Sequence, residues 1–468
     1  MYNNNLTKDP FMLLEKIITL RKEVYKEGFE LLCSWKPLIK RRFFLNSAAN
    51  LAFYLALRRR DIREIQDALI PFGLSSLGRI ESRTLSNLDA VLLSLSRITG
   101  KNTDTLNYPS CDSFLLGRRM LERNTKRIFG QHPQKKNSRI MVTLPPETAE
   151  NYKYVCDLIS SGMNVARINC AHDNEEIWTK MIENIQKAKI ELHIDCKVLM
   201  DIAGPKSRIN QLLTTLQNPK VFPGHKFLLT GHNILQISDE FDIIAGCSIP
   251  EIINQLRPGD PVLVDDGMIE GEVESISERG AVIKVKKVLL QKGVRLKAHK
   301  GLNFPKTSLK IKIITDKDKR DLDFICRNAD IIGCSFVKNA EDINELQAEI
   351  QKRTGEENFC RIPLVAKIET VQGIKNLSKI IVEAAGKTPF SIMIARGDLA
   401  IETGYLRLAE LQEEIMWICE AAHIPVIWAT QVLETMVQTG IPTRAEITDA
   451  VMGSEAECIM LNKGNYLP

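Results

Sequence analysis

No run in this chain approaches the ~20 consecutive apolar residues of a membrane-spanning helix. None of its eleven cysteines forms a Cys-x-x-Cys pair. The first absence argues against a membrane protein. The second argues against a zinc ribbon or a disulfide scaffold and fits a reducing cytoplasm. The opening residues, Met-Tyr-Asn-Asn-Asn-Leu-Thr-Lys, lack the charged-then-apolar layout of a signal peptide, so a cytoplasmic location is expected. What is present is ordinary for a soluble globular protein: 468 residues, 44% hydrophobic and 26% charged, enough for two or three domains and a large core.

Charge is unevenly spread. Residues 1–138 carry a net charge of +11 and the remainder −6. A basic amino-terminal segment can contact nucleic acid or another anionic partner. This one is poor in glycine and carries no nucleic-acid signature. The favoured reading is therefore a helical face docked on the acidic remainder, and a nucleic-acid partner is not expected.

Residues 1–130 read as helical. Leu45 to Leu57 is apolar at helical spacing and ends in Arg58, Arg59 and Arg60. Pro71 and Gly73 mark a turn, after which helical spacing resumes from Leu74 to Ile98. Gln131 to Asn137 is polar and lysine-rich, the composition of a linker.

From residue 139 the pattern changes to short apolar runs separated by helical intervals. The eight runs are Arg139–Leu144, Asn164–Asn169, Lys197–Ala203, Asp330–Phe336, Ile362–Glu369, Phe390–Asp398, Pro425–Gln431 and Cys458–Asn462. Alternating strands and helices imply a parallel sheet, and eight repeats imply a closed (β/α)8 TIM barrel, an α/β fold. About 125 residues separate the third run from the fourth, far more than one crossover needs. They contain short β-rich pieces, Val262–Val264, Gly271–Ile276 and Ala281–Val285, set between turn signals. Residues 210–300 are thus expected to form a small inserted β-barrel that acts as a lid, with residues 138–209 and 301–468 forming the catalytic barrel.

Polar residues end every run: Thr143; Arg167, Asn169 and His172; Asp201; Ser335; Lys367 and Glu369; Asp398; Thr430; Asn462. The carboxyl ends of barrel strands are where such folds place chemistry. Two carboxylates there, Glu369 and Asp398, suit a hard divalent cation, and Lys367 suits a developing negative charge. The lid adds Asp265, Asp266 and Lys300. The bland alternative is a set of strand-end charges that only pair with one another; the full ring of polar residues argues against it.

These segments carry a family resemblance. Gly-Met-Asn-Val-Ala-Arg-Ile-Asn (162–169), Val-Asp-Asp-Gly (264–267), Lys-Gly-Leu-Asn-Phe-Pro (300–305), Lys-Ile-Glu (367–369), Ala-Arg-Gly-Asp-Leu (395–399), Ala-Thr-Gln-Val-Leu-Glu (429–434) and Pro-Thr-Arg-Ala-Glu (442–446) resemble the pyruvate kinase family in order and spacing. Over residues 1–130 the chain looks like a divergent bacterial branch with a helical extension, through Ala-Leu-Arg-Arg-Arg-Asp (56–61) and Gly-Leu-Ser-Ser-Leu-Gly-Arg (73–79). The resemblance implies phosphoryl transfer from phosphoenolpyruvate to ADP, giving pyruvate and ATP, by a homo-oligomer. It implies that Glu369 and Asp398 hold Mg2+ (or Mn2+), that Lys367 stabilises the phosphoryl group in flight, and that Arg167 clamps it with help from Arg208. Backbone groups of Arg396, Gly397 and Asp398 would bind the substrate carboxylate near Ser335, and Thr430 would help deliver a proton. Thr143, Asn169, His172, Lys300 and Asp266 would face the nucleotide. Asn169 and Asp201 would belong to a K+ site.

The chain departs from the family's pattern in three places. The K+ segment reads Asn169-Cys170-Ala171-His172, without its serine, and Lys206 stands where potassium-dependent members carry glutamate. The Lys206 ammonium is therefore expected to replace K+. After the eighth run, Asn462-Lys463-Gly464 replaces a longer polar segment. The sequence ends at Pro468 with no amphipathic stretch for an eighth barrel helix and no carboxyl-terminal domain, so the barrel is expected to lack its last helix. Two other readings stand beside the kinase: a metal-dependent lyase acting on a pyruvate enolate, for which a nucleotide lid has no task, and a catalytically weak regulatory or scaffolding paralogue.

Overall fold

Eight parallel strands close into the expected barrel. The computed structural model describes residues 9–101, 106–131, 138–232, 240–464 and 466; most of the expected linker Gln131–Asn137 lies outside these. The barrel strands are β1 (Arg139–Thr143), β2 (Met163–Asn169), β3 (Lys197–Ile202), β4 (Ile331–Cys334), β5 (Leu364–Ile368), β6 (Phe390–Ala395), β7 (Val426–Ala429) and β8 (Cys458–Leu461). Each pairs in parallel with its sequence neighbour, and β8 pairs with β1. The strands are apolar on both faces because both are covered. Met141, Val165, Leu199, Val365, Met393 and Ile427 fill the interior. The alternate residues, such as Val198, Ala366, Ile392 and Trp428, pack outward against the surrounding helices.

The barrel helices start where the sequence supplies caps. Capping boxes open the helices at Thr315–Asp318, Asn339–Asp342 and Thr443–Glu446.

The insertion after β3 is a seven-stranded sheet with its own apolar core, running from Ile209–Thr214 at one edge to Leu302–Asn303 at the other. An isolated bridge between Arg208 and Gly301, flanked by Ile209 N–H donating to the Lys300 carbonyl at 2.8 Å, draws these two ends together. The sheet therefore curls on itself without the continuous ladder of a closed barrel. Its two ends return to the carboxyl face of the large barrel.

The amino-terminal part is helical, with α1 (Pro10–Trp35), α2 (Leu45–Arg58), α3 (Arg63–Leu69), α4 (Thr84–Thr99) and α5 (Cys111–Phe129). One expectation is corrected here. The apolar spacing from Leu74 to Ile98 is not one helix, because α4 starts only at Thr84. Gly73, Leu77 and Arg79 all have left-handed φ, which an α-helix does not admit. The leucines of 74–77 are instead pinned into a loop, and Leu77 is buried.

These helices dock on the barrel by apolar packing, with Trp35, Phe44, Leu51 and Tyr54 in its outer core, and by specific hydrogen bonds. Arg41 donates to the carbonyls of Ala385 and Thr388. Asn50 donates to Ala421 O at 2.8 Å, and Asn124 to His423 O at 2.8 Å. Ser47 pairs with the buried His423 ring at 2.9 Å. Ile128 and Phe129, at the end of α5, are buried among the interior side chains and plug the barrel's amino end.

Candidate active site

The carboxyl ends of β3, β4 and β5 converge on one buried charge network. The Lys367 ammonium lies 3.1 Å from Glu369 Oε1 and 3.6 Å from Asp201 Oδ2, and donates to Ser335 Oγ at 2.9 Å. Arg167, from β2, donates to Asp201 Oδ2 through Nε at 3.0 Å and Nη2 at 2.6 Å, and to Thr143 Oγ1 through Nη1 at 3.0 Å. Asp201 Oδ1 is buried without a hydrogen bond among the described residues.

Burial pushes the Asp201 carboxyl up, but Lys367 and Arg167 beside it outweigh that and hold it below its ordinary range. Burial likewise acts to lower Lys367, and Asp201 with Glu369 reverses the direction. Glu369 is raised, first by burial and then by the nearby Asp398 carboxylate, against the pull of Lys367. Phe336 N–H, from a left-handed turn, donates to Glu369 Oε2 at 2.5 Å and fixes its direction. Two neighbouring carboxylates, Glu369 buried and Asp398 opening onto a cavity, fit a divalent cation. Lys206 now pairs with Asp398 at 2.7 Å.

The helix Arg396–Thr403 starts directly at the end of β6, so Gly397 and Asp398 sit in its first turn. Gly397 N–H donates to Thr430 Oγ1 at 3.0 Å. The Arg396 side chain points away from this turn. Nε donates to Ala429 O at 3.0 Å and Nη2 to Thr430 O at 2.6 Å, and the guanidinium makes a two-point ion pair with Asp449. It also lies over the Trp428 ring, 4.7 Å from its centroid. A cavity of about 390 Å³ brings Lys206, Asp266, Gly397, Asp398 and Thr430 together. A second, of about 320 Å³, is lined by Thr143, Arg167, Asn169 and His172, with Asn462 and Lys463 at its side.

Two expected residues lie elsewhere. Lys300 is held by Asp265 at 2.8 Å within the lid. Arg208 donates to His299 O at 3.2 Å at the lid's base and lines neither cavity. Of the expected K+ ligands, Asn169 Oδ1 accepts from Ala171 N–H at 3.2 Å, and Asp201 faces Arg167 and Lys367 through Oδ2, its Oδ1 having no hydrogen bond among the described residues. Asp449 and Trp428 were not singled out from the sequence. The Thr443-x-x-Glu446 capping signal marks the helix that carries Asp449, but no local pattern announces its partner.

A parallel (β/α)8 barrel with Lys367, Glu369, Asp398 and Arg167 at its carboxyl face and a β domain inserted after β3 defines a class: a barrel with its polar cluster where such folds place chemistry. Comparison with known proteins gives the family. The family model "Pyruvate kinase, barrel domain" matches residues 135–466. The chain is 31% identical over 350 residues to pyruvate kinase 1 of Trypanosoma brucei brucei, covering 72% of this chain and 66% of that one. It is 30% identical over 324 residues to the pyruvate kinase of Clostridium perfringens, covering 67% of this chain and 62% of that one. A crystal structure of a pyruvate kinase from Cryptosporidium parvum superposes with a TM-score of 0.62 at 28% identity, covering 72% of this chain and 67% of that one. The chain belongs to the pyruvate kinase family. It spans about two thirds of the length of these relatives, and residues before 135 lie outside the family match.

Proposed function

We propose that this chain transfers the phosphoryl group of phosphoenolpyruvate to ADP, giving pyruvate and ATP, in the cytoplasm and as a homo-oligomer. The observation that carries the reading is the pairing of two mutually repelling carboxylates, Glu369 and Asp398, with the buried ammonium of Lys367 at one face of the barrel. Glu369 and Asp398 would hold Mg2+ or Mn2+, which supplies charge neutralisation for the phosphate and enolate oxygens. Each residue then has a task that its surroundings suit. Arg167, oriented by Asp201 and Thr143, presents its remaining guanidinium donors to the phosphoryl group. Lys367, locked by Ser335 and Glu369, meets the negative charge on the transferred group. The first turn Arg396–Asp398 offers the substrate carboxylate its backbone N–H groups other than that of Gly397, which is bonded to Thr430. Thr430, already hydrogen-bonded to Gly397 N–H, stands beside that carboxylate site, placed to pass a proton through water to the enolate carbon. Thr143, Asn169 and His172 line the neighbouring cavity, which suits ADP phosphates, and lid closure would bring Lys300 over it.

Lys206 fills the role of K+. Its ammonium is 2.7 Å from Asp398 and leaves a fixed positive charge beside the metal site. The apolar Ala171 and Ile202 near the expected K+ ligands support the same reading.

The test is pyruvate formation from phosphoenolpyruvate and ADP with Mg2+, comparing the unmodified chain with Lys367→Met. Turnover that disappears in the variant is expected. A folded, unmodified protein that binds phosphoenolpyruvate with metal but never turns over would favour the non-catalytic paralogue instead.

A further inference from the structure

The segment that carries Thr430 holds a conformation it would not keep by itself. Gln431 and Leu433, on either side of Val432, have left-handed φ of 55° and 50°. Residues with side chains persist there where their surroundings over-determine the backbone. Two carboxylates one turn apart on the helix Arg444–Gly453 reach both sides of this strained stretch. Glu446 accepts Thr435 N–H, beyond it. Asp449 acts before it, through Arg396.

The Arg396 side chain is spent on that task. Nε donates to Ala429 O at 3.0 Å and Nη2 to Thr430 O at 2.6 Å, while Nη1 and Nη2 donate to the two oxygens of Asp449. These bonds use all but one of the N–H donors of a guanidinium. The Trp428 ring lies against the group, 4.7 Å away, and Arg396 is only 9% exposed. No donor pair is left to grip a substrate, so the side chain serves the protein rather than the ligand.

The peptide it grips leads straight to a hydroxyl in the site. Thr430 Oγ1 accepts Gly397 N–H at 3.0 Å. The hydroxyl's own proton has no acceptor among the described residues, and Thr430 lines the cavity shared with Lys206 and Asp398. Arg396 thus ties two parts of the site together. Its backbone opens the turn Arg396–Asp398, and its side chain fixes the backbone of Thr430.

We propose that Asp449 and Arg396 are positioning residues for proton delivery. Asp449 orients the guanidinium, the guanidinium fixes the Ala429–Thr430 backbone, and the Thr430 hydroxyl is thereby aimed into the cavity. In that step the enolate left by phosphoryl transfer gains one proton at its methylene carbon. The carbon–carbon π pair forms the new C–H bond and the enolate oxygen re-forms C=O. The water that gave the proton recovers one from solvent through the Thr430 hydroxyl. Without the Asp449 carboxylate, the guanidinium is drawn to the other acids of the same cavity, Asp398 and Glu446, and its grip on the two carbonyls loosens. The inference rests on the kinase reading and on the place of Thr430 in it.

A double-substitution cycle on the full chain tests it, read by kcat for pyruvate formation. Asp449→Asn should lower kcat by about ten- to a hundredfold, the scale of a catalytic group moved by about an ångström. KM for phosphoenolpyruvate should stay nearly level. In a Thr430→Ala background the same substitution should cost about twofold or less, because the hydroxyl it positions is gone. Exchange of the pyruvate methyl protons for deuterium, followed by NMR with Mg2+ and ATP, isolates the proton step and should slow in Asp449→Asn at least as much as turnover. Arg396→Lys keeps a charge for Asp449 but cannot span both carbonyls, so it should repeat the cycle even if Asp449→Asn does not fold. Equal losses with and without the Thr430 hydroxyl, unchanged turnover, exchange that survives a loss of turnover, or unfolding of both variants would make the pair a structural ion pair and overturn the inference. An unmodified chain that neither turns over nor exchanges defeats the kinase reading, and this inference with it.

Discussion

The two ends of the barrel use buried polar groups in opposite ways. At the amino end every polar side chain named above in docking is spent on a neutral partner. Arg41 caps the carbonyls of Ala385 and Thr388, Asn50 and Asn124 serve the carbonyls of Ala421 and His423, and His423 sits between Ser47 and Ser82. At the carboxyl end like charges face each other. Glu369 is raised partly by Asp398, and Lys367 is crowded by Arg167. Burial alone does not mark a functional site. Buried groups with complete, neutral partners hold a fold together, while buried like charges cost stability and persist where a ligand brings the missing charge.

The sharpest way to break this contrast is Glu369→Gln. The amide oxygen can still accept Phe336 N–H, and the repulsion with Asp398 is gone. Turnover should fall by at least about a thousandfold, the scale of losing a principal electrostatic contact in a transition state, while the thermal midpoint stays level or rises. A variant that kept its activity, or unfolded, would mean that the carboxyl end is built like the amino end. Arg41→Ala is the mirror experiment. It leaves two buried carbonyls without their donor, for a loss of about 1–3 kcal/mol in denaturant unfolding, with kcat per folded molecule unchanged. Next in size is Lys206→Glu. Activity in K+-free buffer should fall by about ten- to a hundredfold and return with added K+, because a carboxylate beside Asp398 needs a monovalent cation that the ammonium replaced. Equal rates with and without K+ in the variant would remove Lys206 from that role.

How much of this was readable in the sequence follows from the range of the interactions. Strand ends were legible because each buried run stops abruptly at a charged or hydroxyl residue, as at Lys367–Glu369 and Asp398. Periodicity alone misread Leu74–Ile98, since apolar spacing cannot report the left-handed φ of Leu77 and Arg79. The sequence puts the backbone of Arg396 in the expected substrate turn; that its side chain is committed to Asp449, 53 residues away, is encoded by no local pattern. Arg208, expected to assist at the phosphate, donates to the His299 carbonyl at the base of the inserted domain, a contact that no local pattern announces. The helical extension was legible as helices. Its docking under β6 and β7 was not, because the apolar packing of Trp35, Phe44, Leu51 and Tyr54 and the hydrogen bonds of Arg41, Asn50 and Asn124 all join residues far apart in the chain.

The smallest expected effect tests whether the amino end is as neutral as its hydrogen bonds suggest. Glu457 lies there, accepting Val426 N–H, and burial pushes its carboxyl from an ordinary 4.5 up to about 7 against the pull of Arg139. A folded-state pKa above the unfolded one means that the folded protein holds the proton more tightly. Between pH 4.5 and about 7 the unfolded chain has released that proton and the folded one has not, so this group's contribution to stability falls as pH rises and is level above about 7. Glu457→Gln keeps an acceptor for Val426 N–H and cannot ionise. Its stability relative to the unmodified chain, followed by urea unfolding, should therefore climb from pH 4.5 to about 7 and then level off. A difference that is flat across that window would mean Glu457 ionises normally. The amino end would then carry a buried negative charge beneath β7, and the contrast between the two ends would narrow to the carboxylate pair Glu369 and Asp398.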